Sequence, residues 1–408
     1  MKILVLAPYP PYPPRGGGAL RIYHLARGLA AHQSVTLLSF APDTRAVKLM
    51  APIRDWCRLA TVPGPPSRSS AQRALTTLLS PQPDMALRNR SAAFSEALSR
   101  QLAAEPFDII LASSIEMAGY ALQAQGVGPR LVLDQFNAEY LLQQRAALND
   151  LRQGLLLRPR SLAKGLYSLL QWYKLARYER YLLAHFDLVT VVSEEDRAHL
   201  ARLLPKNVAR LAVVPNGVDT EQVVPGAVRG DMGGSTMVFT GTLDYRPNID
   251  ALRWFTTEVL PLIRTREPAA RLLIVGRAPG PEVRSLVGEA VELVGEVADV
   301  APYIDGAALY VVPMRIGGGS RLKLLEALAM AAPVVSTPMG AEGLPGLRDR
   351  VHLLLAEQPQ AFAAAALRLM AEPKLGRQLG AMGRAHVVDH YDWRTITPRL
   401  EAALTRLS

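Results

Sequence analysis

Short apolar runs alternate along this chain with longer segments in which apolar residues recur at helical spacing. The alternation is typical of βαβ units and a parallel sheet rather than of a β-sandwich. The first helix is predicted to begin near Gly18 and to carry Leu20, Leu25 and Leu29 on its apolar side. The strands predicted in the first half are Lys2–Ala7, Val35–Phe40, Asp108–Ala112, Leu131–Leu133, Asp187–Val192 and Leu211–Val214.

A Pro- and Gly-rich passage between Val214 and Gly234 interrupts this pattern, and such a composition predicts a connection between domains. A second series of strands and helices starts after it. The predicted strands of this half are Met237–Thr240, Arg271–Val275, Val291–Val294, Ala308–Val312 and Val334–Ser336, and its predicted helices include Asp250–Arg264 and Arg321–Met330.

A chain of 408 residues exceeds the size at which one hydrophobic core stops growing, so two domains are expected. We predict an N-terminal domain at 1–215 and a C-terminal domain at 216–391, with a helical stretch at 392–408 that packs back on the first. The predicted fold class is α/β, with two Rossmann-like domains whose parallel sheets face each other across a cleft. Because open parallel sheets bind ligands at the carboxyl ends of their strands, motifs that directly follow strands are the candidate sites.

The charge balance narrows the classes of partner. Lys and Arg total 46 against 36 Asp and Glu, and the net charge of +10 favours nucleic acid, anionic lipid or phosphorylated small molecules. No nucleic-acid recognition motif accompanies this charge, so we expect no nucleic-acid partner. The amino terminus predicts a strand rather than a signal peptide, and no apolar run reaches the ~20 residues of a membrane span. We expect a cytoplasmic protein that is soluble or peripheral at the inner face of the membrane.

A basic stretch stands out between Arg145 and Arg180, with eight Lys or Arg residues and two acidic ones, interleaved with Leu, Trp and Tyr. This pattern is typical of a helix that rests on a membrane surface, which makes an anionic membrane a further expected partner. A helical pair that packs its leucines inward gives the same pattern, and the sequence leaves both interpretations open.

Two glycine-rich turns follow predicted strands. The first contains Gly16, Gly17 and Gly18 and leads into the helix that carries Arg21 one turn on. Glycines in such a turn let backbone N–H groups approach a phosphate or a sugar, and the amino end of a helix favours negative charge. We expect this loop to contact an acceptor or a phosphate, with a loop that binds nothing as the alternative.

The second turn contains Gly318, Gly319 and Ser320 and joins a predicted strand to the predicted helix that begins at Arg321. It offers free N–H groups and a positive helix end. Arg321 and Lys323 add two full charges, and the combination suits a diphosphate. Glu326, about one and a half turns into the helix, is placed to accept hydrogen bonds from ribose hydroxyls.

In their order along the chain, these segments resemble the family 4 retaining glycosyltransferases, whose members have the GT-B fold. The resemblance extends over nearly the whole chain, and the segment around Glu326 carries it most strongly. The other segments that carry it are Lys2–Ala7 with the first glycine turn, Tyr178-Glu179, Ala184–Asp187, Val191–Glu194, Val214–Asp219, Phe239–Thr242, Leu272–Gly276 and Gly295–Asp299.

The resemblance implies transfer of a sugar from a nucleoside-diphosphate donor to an acceptor on the first domain, with the anomeric configuration retained and no metal or cofactor involved. It implies that Glu326 binds the donor ribose and that Val297 lies against the nucleobase. The candidate residues are Arg321, Lys323 and Asn137 for catalysis; Glu326, Gly318, Gly319, Ser320, Leu322, Gly241, Thr242, Arg246, Arg277 and Val297 for the donor; and Gly16, Gly17, Gly18 and Arg21 for the acceptor or a phosphate.

The chain departs from the family pattern at three places. Gly318 stands where many members have a first glutamate, eight positions before the second, and Phe136 stands where a histidine often precedes Asn137. Thr242 and Asn248 occupy the positions of an arginine and a lysine that hold the diphosphate in other members. We expect Arg321 and Lys323, together with Arg246, to supply the missing charge, because a departing diphosphate needs compensation in the transition state.

The predicted function is therefore that of a metal-independent hexosyltransferase acting in polysaccharide or glycoconjugate biosynthesis. Its expected partners are a nucleotide-sugar donor and a sugar or lipid-linked acceptor. A sugar-nucleotide epimerase of similar architecture and a catalytically inactive sugar-nucleotide-binding protein are the alternatives that the departures leave open.

Overall fold

The structure, a computed structural model, describes residues 1–65, 67–154, 159–203, 210–226, 232–317 and 321–407. Its packing divides the chain into two compact units. The first unit consists of Met1–Pro215 and Ile396–Ser408, and the second unit of Asn216–Thr395.

The described part of the first unit contains a seven-stranded sheet in the order β3-β2-β1-β4-β5-β6-β7, with every neighbouring pair parallel. Its strands are β1 Lys2–Ala7, β2 Ser34–Ala41, β3 Arg58–Pro63, β4 Ile109–Ser113, β5 Arg130–Asp134, β6 Leu188–Val191 and β7 Leu211–Val213. Its helices are α1 Gly17–Ala30, α2 Thr44–Leu49, α3 Ser70–Leu79, α4 Asp84–Arg88, α5 Ala92–Ala104, α6 Ala118–Ala121, α7 Glu139–Gly154, α8 Pro159–His185 and α9 Glu194–Leu203, with 3-10 turns at Ala51–Asp55 and Leu122–Ala124.

The second unit has a six-stranded sheet, again parallel throughout its described residues, in the order β10-β9-β8-β11-β12-β13. Its strands are β8 Thr236–Thr240, β9 Arg271–Val275, β10 Val291–Gly295, β11 Leu309–Val312, β12 Val334–Ser336 and β13 Leu354–Leu355. Its helices are α10 Arg246–Trp254, α11 Leu260–Arg264, α12 Pro281–Arg284, α13 Ala301–Gly306, α14 Leu322–Ala329, α15 Pro338–Ala341, α16 Pro359–Ala371 and α17 Pro373–Tyr391, followed by the last helix, α18 Trp393–Thr405.

The predicted α/β class with two Rossmann-like sheets is confirmed. The central strands β1, β4 and β8 are buried along nearly their whole length, as expected for parallel strands that are covered on both faces. In each sheet the strand order reverses once, between β1 and β4 in the first unit and between β8 and β11 in the second. These reversal points are where open α/β sheets bind their ligands.

Two strands and one helix differ from the sequence prediction. The edge strand Arg58–Pro63 and the two-residue strand Leu354–Leu355 were not predicted, because the first is half exposed and the second is too short to show a pattern. The helix predicted at Asp250–Arg264 begins earlier, at Arg246, where Pro247 occupies its first turn. A π-helical turn at Phe255–Val259 then divides it into α10 and α11.

In its described part, the basic stretch has both buried and exposed apolar side chains. Helix α8 buries Leu175 and Leu182 in the first unit, whereas Leu166, Tyr167 and Tyr173 are exposed. No helix in the described ranges combines the length and apolar character needed to cross a bilayer.

The last helix contributes to the first unit from Ile396 onward. Glu401 accepts a hydrogen bond from Gln33 Nε2 at 2.8 Å. Thr397 packs so closely on Gly28 that a Cβ at Gly28 would lie 2.3 Å from Thr397 Cγ2. The carboxyl end of the chain is thus held against α1 by packing and by a hydrogen bond.

A buried ion pair connects α1 to β5. Arg21 is 1% exposed and donates from Nε and Nη2 to the two carboxylate oxygens of Asp134, at 2.8 and 2.6 Å. Its Nη1 donates to the Pro215 carbonyl at 3.1 Å, and Thr190 Oγ1 donates to Asp134 at 2.6 Å. The expectation that Arg21 contacts a ligand is therefore corrected, because its guanidinium is enclosed in the fold.

Replacing Arg21 by Ala is expected to lower the free energy of unfolding by about 3–5 kcal/mol, since it leaves the Asp134 carboxylate buried without its cation. Urea-induced unfolding of the full chain, followed by circular dichroism, measures the effect. Arg100→Gln is the matched control, because Arg100 is exposed and 4.0 Å from Glu96, and it is expected to change the value by less than about 0.5 kcal/mol. Equal effects of the two substitutions would contradict the assignment.

Candidate functional site

The candidate site lies at the carboxyl edge of the second sheet, where the strand order reverses between β8 and β11. The chain leaves β11 at Val312 and enters α14 at Leu322. Gly318, Gly319 and Ser320, which were predicted to bind the donor, lie outside the described residues.

Lys323 reaches from the first turn of α14 to the end of β8. Its Nζ donates to Asn248 Oδ1 at 2.6 Å and lies 3.9 Å from the centroid of the Phe239 ring. Asn248 in turn donates from Nδ2 to the Thr242 carbonyl at 2.8 Å. A hydrogen bond and a cation–π contact therefore fix the ammonium at one place beside the strand end.

The ends of β8 and β9 approach each other at backbone distance. A Cβ at Gly276 would lie 1.8 Å from the Gly241 carbonyl oxygen, so a side chain at Gly276 has no room. Gly241 has φ +154, and a Cβ there would lie 2.9 Å from Asn248 Nδ2 and 3.1 Å from Lys323 Nζ. Gly241 thus leaves space for the Lys323 amine, and Gly276 leaves space for the Gly241 carbonyl.

Burial brings the pKa values of two groups close to neutrality. The pKa of the Lys323 amine is lowered to about 7, mainly by desolvation and also by the nearby Arg321, whereas Glu326 opposes the shift. The pKa of Glu326 is likewise raised to about 7, mainly by desolvation and also by Asp299, whereas Lys323 opposes the shift. The site therefore contains a lysine and a glutamate that both change charge near pH 7.

The Arg321 guanidinium, unlike the Lys323 amine, lies beside a carboxylate. It is 7% exposed, and its Nε and Nη2 donate to the Met339 carbonyl at 3.3 and 3.2 Å. Its Nη2 lies 3.6 Å from Glu342 Oε2, and Gly317, with φ +153, packs on the guanidinium. A carboxylate already compensates this cation, so Arg321 holds the entrance of the glycine turn in place.

The other predicted donor residues surround this edge of the sheet. Arg246 begins α10 and Leu322 begins α14, and both side chains are half-buried. Val297 is half-buried just after β10, whereas Arg277 is exposed after β9 and accepts a hydrogen bond from Leu243 N through its carbonyl at 2.8 Å. Thr242 contributes its carbonyl to Asn248.

The glycine turn of the first unit leads directly into α1. Gly16 has φ +88 and precedes Gly17, the first residue of the helix. A Cβ at Gly18 would lie 1.8 Å from Tyr9 Oη and 3.0 Å from Phe136 Cε2. The turn therefore packs against aromatic side chains that any larger residue at Gly18 would displace.

Acidic residues gather where β5 ends, close to the catalytic candidate Asn137. Asn137 Nδ2 donates to Glu139 Oε1 at 3.1 Å. The buried Glu179 carboxylate accepts from the backbone N–H groups of Glu139 and Tyr140, at 2.9 and 3.1 Å, and from the side chain of Gln135. Desolvation raises the pKa of Glu139 to about 7, and the hydrogen bond from Asn137 opposes the rise.

Sequence reasoning did not single out Glu139 or Asn248 as site residues. Glu139 lies two positions after Asn137 in a segment that was already under consideration, so its proximity was available as a signal. Asn248 entered only as a departure from the family pattern, and its contact with Lys323 links residues 75 positions apart. No local pattern could have revealed that contact.

Two family profiles match the chain. A profile described as Glycosyltransferase Family 4 matches residues 15–222, which are 208 of the 408 residues, and one described as Glycosyl transferases group 1 matches residues 234–372. Together they cover both units.

Curated relatives match parts of the chain. A 44.6 kDa protein in the cps region of Klebsiella pneumoniae is 29% identical over 33% of this chain and 36% of its own length. Glycogen synthase of Mycobacterium tuberculosis is 23% identical over 53% and 54%. The GDP-mannose-dependent alpha-(1-6)-phosphatidylinositol monomannoside mannosyltransferase of Mycolicibacterium smegmatis is 28% identical over 54% and 62%. The chain thus spans between about a third and three fifths of the length of these relatives.

Solved structures resemble the whole chain. HepE of Anabaena in complex with UDP has a TM-score of 0.68 at 14% identity and covers 100% of both chains. Sucrose-phosphate synthase of Thermosynechococcus elongatus has a TM-score of 0.73 at 19% identity, covering 100% of this chain and 99% of its own. At such identities the likeness shows a shared fold.

The amine of Lys323 is expected to titrate with a midpoint near pH 7, because burial disfavours its charged form. Competitive acylation with an isotope-labelled reagent across a pH series, followed by peptide mass spectrometry, measures the midpoint of each lysine. Lys374, which is exposed on α17, serves as the reference amine in the same sample. A Lys323 midpoint near the ~10.4 of an unperturbed lysine would contradict the described environment.

Proposed function

Since the chain belongs to the family 4 (group 1) glycosyltransferases and has their GT-B fold, we propose that it transfers a sugar from a nucleoside-diphosphate sugar to an acceptor and retains the anomeric configuration. This proposal rests mainly on one observation, the hydrogen bond that the Lys323 ammonium donates to Asn248 Oδ1 at 2.6 Å. Asn248 stands where other members have a lysine for the donor diphosphate. Lys323 on α14 supplies the positive charge that Asn248 lacks.

Lys323 is the group that we assign to the leaving diphosphate. The bond from the sugar to the diphosphate breaks with growing negative charge on the phosphate oxygens, and a cation that is already oriented stabilises this charge without reorganisation. Asn248 and Phe239 orient the ammonium before any donor binds. The amino end of α14 adds N–H groups and the positive end of a helix dipole.

The neutral-range pKa of Lys323 fits a site that is built to receive an anion. In the free enzyme burial lowers this pKa to about 7, so part of the population carries an uncharged amine. A bound diphosphate favours the charged form and raises the pKa. Donor binding is then accompanied by proton uptake, and the ammonium is fully formed when the leaving group departs.

Glu326 is assigned to the donor ribose. Its carboxylate lies one turn beyond Lys323 on α14 and is half-buried, a position from which it can accept from the ribose hydroxyls while the diphosphate meets the helix end. Hydrogen bonds that involve a charged group contribute about 1.5–3 kcal/mol, so this contact is a main source of donor affinity. Val297, just after β10, is assigned to the face of the nucleobase.

The acceptor is assigned to the first unit, at the ends of β1 and β5. Gly16 and Gly17 offer backbone N–H groups there, and Asn137 with Glu139 offers a pair of polar side chains for the reacting hydroxyl. Support for a lipid-linked acceptor comes from a relative that is named for mannosyl transfer to phosphatidylinositol monomannoside. The reaction proposed is a hexosyl transfer that relies on Lys323 rather than on a metal to compensate the diphosphate.

The similar proteins point to two different nucleobases for the donor. HepE binds UDP and UDP-glucose, whereas the mannosyltransferase relative is named for GDP-mannose. Both are nucleoside-diphosphate sugars, and the assigned contacts of Lys323 and Glu326 with diphosphate and ribose are the same for either.

Lys323→Met is expected to reduce turnover by about 10²–10³-fold, because it removes one preorganised group that stabilises transition-state charge. Release of nucleoside diphosphate from the donor without added acceptor measures the effect, so that the acceptor need not be known. Lys374→Met, an exposed lysine of the same unit, is the matched control and should leave turnover unchanged.

A charge-relocation variant sharpens this experiment. In Lys323→Met with Asn248→Lys, an ammonium returns to the same place from α10, and at least a tenfold recovery of turnover is expected because the two side chains meet at 2.6 Å in the native protein. Unchanged turnover in Lys323→Met would rule out the assigned role. A loss that Asn248→Lys cannot restore would show that position, rather than charge, limits the reaction.

Thermal-shift measurements with UDP-, GDP-, ADP- and dTDP-sugars are expected to identify one donor that adds roughly 2.7 kcal/mol of stability at 100 times its dissociation constant. Glu326→Gln should weaken that donor about tenfold or more, and should weaken its 2′,3′-dideoxy analogue much less, because the lost contact is to the ribose hydroxyls. An equal loss for both nucleotides would place Glu326 elsewhere. Stabilisation by none of the four would contradict the proposed function.

A further inference from the structure

A cavity of about 740 Å³ lies within the first unit, close to the carboxyl end of β4. Its walls come from the segment that contains α4, from the start of α5, from the turn after β4 and from α8. The volume is in the range of small-molecule sites, which measure about 300–1,000 Å³. None of the residues assigned above to the donor lines this cavity.

Two of the residues that line the cavity, Arg90 and Arg177, supply it with positive charge. Arg90 follows α4 and Arg177 lies on α8, and both are exposed. Arg90 donates to Gln82 Oε1 at 2.5 Å, and Arg177 donates to Tyr173 Oη at 3.2 Å with its guanidinium 5.7 Å from the ring centroid. Within the described ranges neither forms an ion pair with a carboxylate, so their charges are available to a ligand.

Among the described residues that line the cavity, the carboxylate is that of Glu116, and it does not neutralise these arginines. Glu116 lies just beyond β4, and Arg88 Nη1 contacts its Oε1 at 3.2 Å while Asn89 Nδ2 donates to its Oε2 at 3.3 Å. Burial raises the pKa of Glu116, and the ion pair with Arg88 opposes the rise. The cavity therefore carries a net positive charge.

Tyrosine rings form the remaining wall. Tyr178 and Tyr181 stack with ring centroids 6.4 Å apart and an interplanar angle of 16°. Tyr178 is 9% exposed, and in the described part of the chain its hydroxyl makes no hydrogen bond, whereas the Tyr120 hydroxyl is bonded to the backbone of Asn89 and Ser91. Because Tyr178 lines the cavity, its hydroxyl is accessible to a ligand there.

We propose that this cavity, at the end of the strand that lies between β1 and β5, binds the phosphate-bearing part of the acceptor assigned above, a phosphorylated glycan, with the phosphate held by Arg90 and Arg177 and a sugar ring lying against the tyrosine wall. Planar guanidinium groups match phosphate oxygens in paired hydrogen bonds, which is why arginine is common at phosphate sites. The proposal rests on the proposed function, since a glycosyltransferase needs a second substrate site besides the donor site. It deepens that function by naming the chemical class of the acceptor.

The phosphate can belong to a free sugar phosphate or to a lipid. Exposed apolar side chains, Leu75 and Leu79, stand on α3, which ends two residues before the lining residue Pro81. Lys174 of α8 holds the end of α3 through the carbonyls of Thr77 and Ser80. Both sources share the same phosphate chemistry at Arg90 and Arg177, so the experiment has one arm for each.

The first arm measures binding of glucose 1-phosphate by calorimetry, in the full chain with the donor site saturated by the nucleoside diphosphate that the thermal-shift panel selects. Arg177→Gln and Arg90→Gln are each expected to weaken binding about tenfold to a hundredfold, because each removes hydrogen bonds to a charged phosphate. Arg180→Gln is the matched control, since Arg180 is exposed on the same helix but does not line the cavity. The second arm measures sedimentation with phosphatidylcholine vesicles that contain or lack phosphatidylinositol.

Weaker binding in Arg177→Gln and Arg90→Gln, in either arm, with Arg180→Gln unchanged, supports the proposal, and the arm that responds identifies the source of the phosphate. Methyl glucoside binding as tightly as glucose 1-phosphate would overturn the phosphate assignment. Absence of binding in both arms, or binding that neither cavity variant alters, would overturn the cavity assignment. Because donor stabilisation is measured separately in the same variants, these outcomes differ from a failure of the proposed function, in which no nucleotide sugar binds.

Discussion

The diphosphate contact that we propose sets an electrostatic requirement for the second unit's site. A cation must stand at the carboxyl edge of the sheet, yet a charge that is removed from water is destabilised unless something orients and solvates it. Asn248 and Phe239 do this for the Lys323 ammonium, and Gly241 gives the amine room to reach them. The near-neutral pKa of Lys323 follows from the same burial.

The architecture could be predicted from the sequence because parallel strands buried on both faces appear as short apolar runs, and because helices between them have a different period. Most strands lie within one or two residues of their predicted positions, as at Lys2–Ala7 and Arg271–Val275. The half-exposed edge strand Arg58–Pro63 lacks the apolar signal, and the π-helical turn at Phe255–Val259 has no sequence signature of its own.

The site could be predicted from the sequence only in part, because the sequence does not show in which direction a side chain points. Arg21 and Arg321 are both placed by sequence next to glycine turns, but Asp134 and Glu342, which lie far away along the chain, enclose or compensate them. Lys323 reaches Asn248 across the same kind of sequence separation and remains directed toward the strand end. A cation stabilises the fold when such a carboxylate lies beside it, and it can bind a ligand when none does. A single sequence does not show how close the cation and the carboxylate lie in the folded protein.

The backbone contact between Gly276 and Gly241 has a consequence for changing the specificity of this protein. Because the ends of β8 and β9 are in contact through main-chain atoms, Gly241 and Gly276 offer no side chain whose size or charge could be changed. A search for variants with altered nucleotide preference therefore has to work through the bordering positions, such as Val297 and Arg277, whose side chains are partly or fully exposed to solvent. Any side chain introduced at Gly276 would collide with the Gly241 carbonyl, so libraries at that position would have to break the backbone contact itself.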